Sequence, residues 1–227
     1  MNNVKIGNSA KFVFFLLSVA LAVFLFPPNS PGSGVFYVSA LFFFLALFLS
    51  SYKSGIKEGL SYLRLSPKKG EAAKLFLWGI AAFFLIFFVA LAVSFTLSVL
   101  GLLDTAPVLE KVRSLSPLAL FAAVTIAPLG EEAIFRGWLF RKIGDVFQKR
   151  AKNGTVIFLI SALLSSLVFS AFHFSYGSFA EFAVVFFVGL ALCFVTQKSG
   201  SLVPAIIAHA FFNLLSIVSS HFSLVVM

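Results

Sequence analysis

Two adjacent carboxylates and an arginine occupy an otherwise apolar stretch of this chain, and they are the residues best placed to do chemistry. Glu131, Glu132 and Arg136 follow an apolar approach that runs from Leu118 to Pro128. A charge in such surroundings is costly unless it is paired or used. On a helix, Glu132 and Arg136 are four residues apart and can pair on one face, whereas Glu131 is offset by about 100°. We therefore predict that Glu131 has no partner in its own helix and is the carboxylate available for chemistry.

Two further polar pairs with helical i, i+4 spacing lie in apolar stretches downstream. His173 follows Phe169 by four residues, and Asn213 follows His209 by four. The spacing puts His209 and Asn213 on one helix face, so both side chains can point at one spot in a bundle. Either residue can instead serve only to hydrogen-bond neighbouring helices together, and the ion pair can be purely architectural. The concentration of nearly all deep ionisable groups in this one set favours a polar pocket built from three helices.

The chemistry that fits this set is hydrolysis by an activated water. A carboxylate in a low-dielectric pocket is a competent general base near neutral pH, and a neighbouring histidine can orient the water. A histidine and an asparagine side by side can donate to an oxyanion developing on a carbonyl. The sequence contains no serine in a nucleophile elbow and no His-Glu-x-x-His motif. A zinc site built from Glu131, His173 and His209 is the second-ranked alternative.

Composition places the chain in the membrane. Of its 227 residues, 60% are hydrophobic and only 11% are charged, with 32 phenylalanines, well outside the range of soluble domains. The net charge is +9, but the cations fall in short clusters between apolar runs, a pattern typical of membrane topology and not of a nucleic-acid-binding face. The single cysteine, Cys193, excludes an intrachain disulfide and is interpreted as a core residue.

The pattern predicts one all-α domain over residues 1–227, a polytopic transmembrane helix bundle of about seven spans, with six to eight as the range. The first apolar run is interpreted as a retained span in preference to a signal peptide. A short interfacial helix is expected around Ile56, Leu60 and Leu63, a loop over 104–116, and an amphipathic tail that Asn153-Gly154 ends. The predicted spans are 12–26, 35–51, 75–103, one from 117, 155–173, 180–196, and one from 204 past 213.

The basic clusters predict an orientation. The N-terminus, the 53–74 loop, the 141–152 segment and Lys198 fall on one side, which the positive-inside rule assigns to the cytoplasm. The loops at 27–34, 104–116 and 174–179 carry little net charge and fall opposite. We therefore expect an integral, multi-pass protein of a prokaryotic plasma membrane with a cytoplasmic N-terminus.

The depth of the site raises a conflict in this scheme. Counted from Lys152, His173 lies about 30 Å along an ideal helix, towards the far side of the bilayer. Glu131 and His209 count to nearer mid-depth. Three explanations are open: the fifth span begins outside the hydrocarbon, it is tilted, or its predicted boundary is wrong.

Three motifs together resemble a known family. They are Glu-Glu-Ala-Ile-Phe-Arg-Gly, then Phe-x-x-x-His, then the run Gly-Ser-Leu-Val-Pro-Ala-Ile-Ile-Ala-His-Ala-Phe-Phe-Asn. In order, spacing and apolar setting they resemble the CPBP family of CAAX-processing and bacteriocin-processing intramembrane proteases, which includes Rce1-type prenyl-protein endopeptidases and the Abi proteins. The resemblance covers about residues 117–217, close to half of the chain, and the N-terminal spans carry no signature.

The resemblance implies a multi-helical glutamic endopeptidase with its site in a cavity between helices. By the family pattern Glu131 matches the catalytic base, His173 its water-positioning partner, and His209 and Asn213 the oxyanion stabilisers. Glu132 and Arg136, the two remaining charged residues of the first motif, are expected to form a supporting ion pair. Phe169 is expected to have a packing role. No cofactor is expected, although the family was long described as metal-dependent, so the zinc alternative stays open.

The expected function is therefore cleavage of a peptide bond within the membrane or close to its cytoplasmic leaflet. The partners would be membrane lipids and a peptide or membrane-protein substrate, either a prenylated CAAX protein or an unlipidated small peptide. A non-catalytic protein that binds a peptide or partner in immunity or scaffolding is the alternative from another class. A transporter using the same groups as a proton path is disfavoured, because no inverted repeat is evident. His221, beyond the last predicted span, is given no role.

Overall fold

The computed structural model describes residues 32–149 and 152–222, and within these ranges it contains helices and no strands. Six helices are long and apolar enough to cross a membrane, which confirms the all-α polytopic bundle. The first predicted span, 12–26, lies outside the described residues. The eight helices are α1 Ser33–Ser51, α2 Ile56–Tyr62, α3 Ala72–Val99, α4 Ala106–Arg113, α5 Pro117–Gln148, α6 Gly154–Ala171 with a 3₁₀ turn Phe172–Tyr176, α7 Phe179–Ser199 and α8 Val203–His221.

The short connections between successive spans gather at two opposite ends of the bundle. One end, the basic face, carries the connections 52–71 and 199–202 and the described residues 148–149 and 152–153 between α5 and α6. There Arg64 donates from Nη1 to the carbonyl of Thr196 at 2.7 Å, and the Leu202 amide donates to the carbonyl of Arg64 at 3.1 Å. These bonds hold the 52–71 connection against the end of α7 and the start of α8, and α2 forms at this face as predicted.

The opposite end, the cavity face, carries the connections 100–116 and 172–178 and the C-terminal end of α8. Lys111 donates to the carbonyl of Ser175 at 3.1 Å, and Ser178 donates to the carbonyl of Asp104 at 2.6 Å. The expectation of a plain loop over 104–116 is wrong, because α4 forms there. Its Leu, Glu, Lys and Arg residues favour helix, and Pro107 sits in the first turn, where its missing N–H costs nothing.

The boundary between α5 and α6 places the start of the fifth predicted span beside the end of α5. Asn153 does not simply end the preceding helix: its side chain accepts hydrogen bonds from the amides of Thr155 and Val156 and caps α6. The rings of Phe140 and Phe158 lie 5.9 Å apart, so the first turns of α6 run beside the charged tail of α5. This packing agrees with the explanation that the fifth predicted span begins outside the hydrocarbon.

Helix α5 packs against α1 at a glycine, Gly130, next to the two glutamates. A Cβ built on Gly130 would overlap the backbone carbonyl oxygen of Ser39. We expect Gly130→Ala to lower the free energy of unfolding by about 1–3 kcal/mol, because backbone, unlike a flexible side chain, cannot move aside locally. Thermal unfolding of the detergent-solubilised protein measures this. The matched control is Gly34→Ala on α1, which meets open space; equal stability losses in the two variants would contradict the close packing.

Candidate active site

The carboxylate motif lies at a change of helix type within α5. The α-helical part ends at Glu132, and Ala133–Leu139 winds as a π-helix before α-helix resumes at Phe140. Such segments are rare and occur frequently at functional sites. Sequence reasoning missed this segment, because a uniform α-helix has the same apolar composition. The change in winding alters the directions in which the side chains after the two glutamates point, including that of Arg136.

Glu132 and Arg136 form a buried ion pair that a histidine from α8 joins. Glu132 Oε1 accepts from Arg136 Nη1 at 3.0 Å, and both side chains are 0% exposed. The same oxygen faces Nδ1 of His209 at 2.9 Å. The Arg136 guanidinium also stacks 4.0 Å above the centroid of the Phe169 ring, a cation–π contact. Phe169 is thus a packing residue as expected, and its packing partner is the arginine of the ion pair.

Glu131 has a neighbour from another helix, which the helical count did not reveal. Its Oε2 lies 3.8 Å from Nε2 of His209. One imidazole is therefore placed between the two glutamates, with Nδ1 towards Glu132 and Nε2 towards Glu131. Glu131 has no partner within α5 among the described residues, as predicted, but it is not isolated.

His173 lies in the 3₁₀ turn at the end of α6, with one ring nitrogen occupied. Its Nδ1 is 3.0 Å from the carbonyl oxygen of Phe169. Because a carbonyl oxygen only accepts, Nδ1 must carry the hydrogen, which leaves Nε2 as an acceptor in the neutral ring. The ring stacks on that of Tyr176 at a centroid distance of 5.7 Å and an interplanar angle of 12°. The turn and this stacking fix the orientation of the imidazole.

Asn213 lies one turn beyond His209 on α8. Its Nδ2 donates to the carbonyl of Ala123 on α5 at 2.9 Å. The amide nitrogen carries two hydrogens, so one remains after this bond is made. This bond links α8 to α5, which is the role in holding helices together that the sequence analysis gave as the alternative for Asn213. The second N–H of the amide is available to a ligand.

A single cavity of about 300 Å³ brings the predicted residues together. Glu131, His173, His209 and Asn213 all line it, whereas Glu132 and Arg136 lie behind it. The rest of its wall is mostly apolar, as is usual for a binding pocket. His221 is not among the lining residues.

The cavity also contains polar residues that sequence reasoning missed, namely Asp104, Tyr176 and Glu181. The only signal near Glu181 was the Ser-x-x-Glu spacing from Ser178, which is typical of a helix start. Ser178 Oγ accepts from the Glu181 amide at 3.1 Å and caps the start of α7. Nothing in the local sequence indicated that these residues share a wall with Glu131.

The zinc alternative does not fit this arrangement. Within residues 32–149 and 152–222, no group of three or more His, Cys, Asp or Glu side chains is placed to hold a metal ion. Cys193 is fully buried in a core cluster. We therefore derive no step through a metal.

Comparison with known proteins gives one family match. Residues 113–215 match the family model for the type II CAAX prenyl endopeptidase Rce1-like proteins, close to the 117–217 segment that the motifs mark. Neither curated proteins nor solved structures give a match. The matched segment contains both glutamates of α5, the arginine, both cavity histidines and the asparagine. Over this segment, just under half of the chain, this multi-pass membrane protein is similar to the Rce1-like family of type II CAAX prenyl endopeptidases.

Proposed function

We propose that this protein is a glutamic endopeptidase that hydrolyses a peptide bond in its intramembrane cavity with a water activated by Glu131. The family match supports a CAAX-type protease, and the observation that carries the mechanism is that Glu131, His173, His209 and Asn213 line one cavity. These groups come from α5, the end of α6 and α8. Glu131 supplies the general base, and His173 accepts a hydrogen bond from the water. His209 and Asn213 supply the two donors to the oxyanion. No covalent intermediate is required.

In the first step Glu131 accepts a proton from water while His173 orients it. The free Nε2 of His173 accepts the second hydrogen of that water, because Nδ1 is held as the donor to the Phe169 carbonyl. The oxygen then attacks the peptide carbonyl carbon, and the π electrons of the C=O bond move to its oxygen. Proton transfer to a positioned base of this kind contributes about 10²–10⁴-fold to a rate.

In the second step the new oxyanion is held by donors from α8. His209 takes this role in its doubly protonated form, in which Nδ1 donates to Glu132 and Nε2, 3.8 Å from Glu131 Oε2, carries the hydrogen for the oxyanion. Once Glu131 has taken the proton from water it is neutral, and Nε2 is free to donate to the oxyanion. Asn213 adds its second N–H. The C–N bond then breaks as Glu131 returns the proton to the leaving amine, so protons balance over the cycle.

The oxyanion role of Asn213 gives a testable result. We expect Asn213→Ala to lower kcat by about 10²–10³-fold, the usual effect of removing one oxyanion donor, with a smaller change in KM. Single-turnover cleavage in proteoliposomes measures both. The matched control is Ser216→Ala, in the same helix and cavity wall, which is expected to keep its rate. Equal rates for the two variants would remove Asn213 from the mechanism.

Metal independence is a second prediction. Because the described residues form no group of three or more His, Cys, Asp or Glu side chains placed to hold a metal ion, we expect cleavage in proteoliposomes to proceed at an unchanged rate after incubation with EDTA or 1,10-phenanthroline. The control adds each chelator together with a saturating amount of zinc, to separate metal removal from direct inhibition by the chelator. Loss of activity that added zinc restores would establish the zinc-dependent alternative.

A further inference from the structure

We infer that the substrate segment enters this site from the extracytoplasmic side of the membrane. The inference uses the proposed function for the reaction itself, but the direction of entry follows from three separate features of the structure. These are the position of the cavity mouth, the packing on the other side of the site, and the distribution of charge between the two faces.

The mouth of the cavity is at the cavity face. From the level of Glu131 the wall continues through α4, the 3₁₀ turn of α6 and the last turns of α8. Asp104, which is exposed, belongs to the lining, so the cavity reaches the surface there. Among the described residues, none from the connections 52–71, 148–153 or 199–202 contributes to its wall.

The basic face is closed by packing. Leu63 and Leu202 are fully buried in one apolar cluster with Phe135 and Phe169. Both leucines lie so close to Gly137 that a Cβ there would be 3.1 and 3.3 Å from their methyl groups. Leu202 precedes His209 by seven residues, about 10 Å of helix. This plug therefore separates the catalytic groups from the basic face, and the hydrogen bonds between Arg64 and the ends of α7 and α8 hold it in place.

Charge assigns the two faces to their compartments. On the cavity side of the membrane the described cations are Lys111 and Arg113 alone, beside Asp104, Glu110 and Glu181. The basic side has eleven described cations: Lys53, Lys57, Arg64, Lys68, Lys69, Lys74, Arg141, Lys142, Lys149, Lys152 and Lys198. An excess of Lys and Arg in short connections marks the cytoplasmic side. The cavity mouth therefore faces away from the cytoplasm.

This direction of entry selects the substrate class. It fits an unlipidated secreted peptide, or the extracytoplasmic juxtamembrane segment of a membrane protein, which can reach the mouth directly. A lipidated C-terminus on the cytoplasmic leaflet would meet the plug of Leu63 and Leu202. The sequence led us to expect cleavage close to the cytoplasmic leaflet or within the membrane. Under the present inference the substrate reaches the site from the extracytoplasmic side.

Cysteine accessibility in intact bacterial cells tests the inference in the full-length protein. In a Cys193→Ala background, Asp104→Cys reports on the mouth and Ser54→Cys on the basic face. A membrane-impermeant maleimide is expected to label Asp104→Cys in intact cells and Ser54→Cys only after permeabilisation. Ser175→Cys and Lys152→Cys form a second pair for the two faces, should either first variant fail to insert. Labelling of the basic-face position in intact cells would overturn the inference.

Entry is tested separately from topology. With Leu109→Cys, whose side chain lines the cavity, the same impermeant reagent applied to intact cells is expected to block cleavage of the substrate, while Ser54→Cys keeps its rate. Undiminished cleavage by fully labelled Leu109→Cys protein would overturn entry through this mouth. The maleimide labelling is repeated in the Glu131→Gln protein. The cavity-face cysteine is again expected to be labelled in intact cells and the basic-face cysteine only after permeabilisation, because labelling does not depend on the proposed chemistry.

Discussion

Glu131→Gln is expected to abolish peptide-bond cleavage while leaving the protein inserted in the membrane. The amide cannot take a proton from water, so the rate should fall by at least about 10²-fold. It keeps the size of the side chain and a neutral oxygen towards His209, so the bundle should form normally. Removing the negative charge also ends the competition between Glu131 and the oxyanion for His209 Nε2, and substrate binding should therefore be kept or tightened while catalysis is lost.

The experiment compares peptide ends in membranes that contain wild-type protein with those in membranes that contain the Glu131→Gln variant. A neo-N-terminus present only with the wild type identifies a substrate, and a peptide spanning it then gives the rate in proteoliposomes. Glu110→Gln, an exposed carboxylate of α4, is the matched control and should cleave normally. A biological function retained in full by the Glu131→Gln protein would instead favour the non-catalytic, partner-binding alternative.

The residues of the site were predictable from sequence because each pair repeats a helical period. Glu132 and Arg136 follow from i, i+4 spacing alone, and so does the shared face of His209 and Asn213. Six of the spans follow from apolar runs of sufficient length. The spacing within one helix and the length of an apolar run depend only on residues that are near one another in the chain, so they can be found in the sequence.

What the sequence could not provide depends on the packing of helices distant along the chain. The imidazole of His209 lies between two glutamates 77 and 78 residues away, and no periodicity reports such a contact. The same holds for the π-helical segment, for α4, whose residues line the cavity, and for the side on which the cavity opens. Glu131 consequently looked unpaired in its helix but has a partner from α8.

Arg136→Ala is expected to cause the largest loss of stability among substitutions at the site. It leaves the carboxylate of Glu132 fully buried with only the imidazole of His209 against it, and removes the guanidinium stacked on Phe169. Breaking a buried pair from one side costs about 3–5 kcal/mol, because the remaining charge is uncompensated. The matched control is Arg141→Ala, on the same helix, whose guanidinium stacks on Tyr62 near the surface and should cost about 0.5–1 kcal/mol. Equilibrium unfolding in mixed micelles measures both.

The double variant Glu132→Gln with Arg136→Met separates stability from catalysis. It removes both charges and keeps both shapes, so it should be more stable than Arg136→Ala alone, since a buried pair is often replaceable by neutral groups. Cleavage should nevertheless stay low. The glutamine still accepts from His209 Nδ1, but the negative charge behind the imidazole that holds the oxyanion is gone, so the oxyanion is stabilised less. Wild-type cleavage by the double variant would show that Glu132 only stabilises the fold, whereas recovered stability with low kcat and unchanged KM would show that it acts through His209.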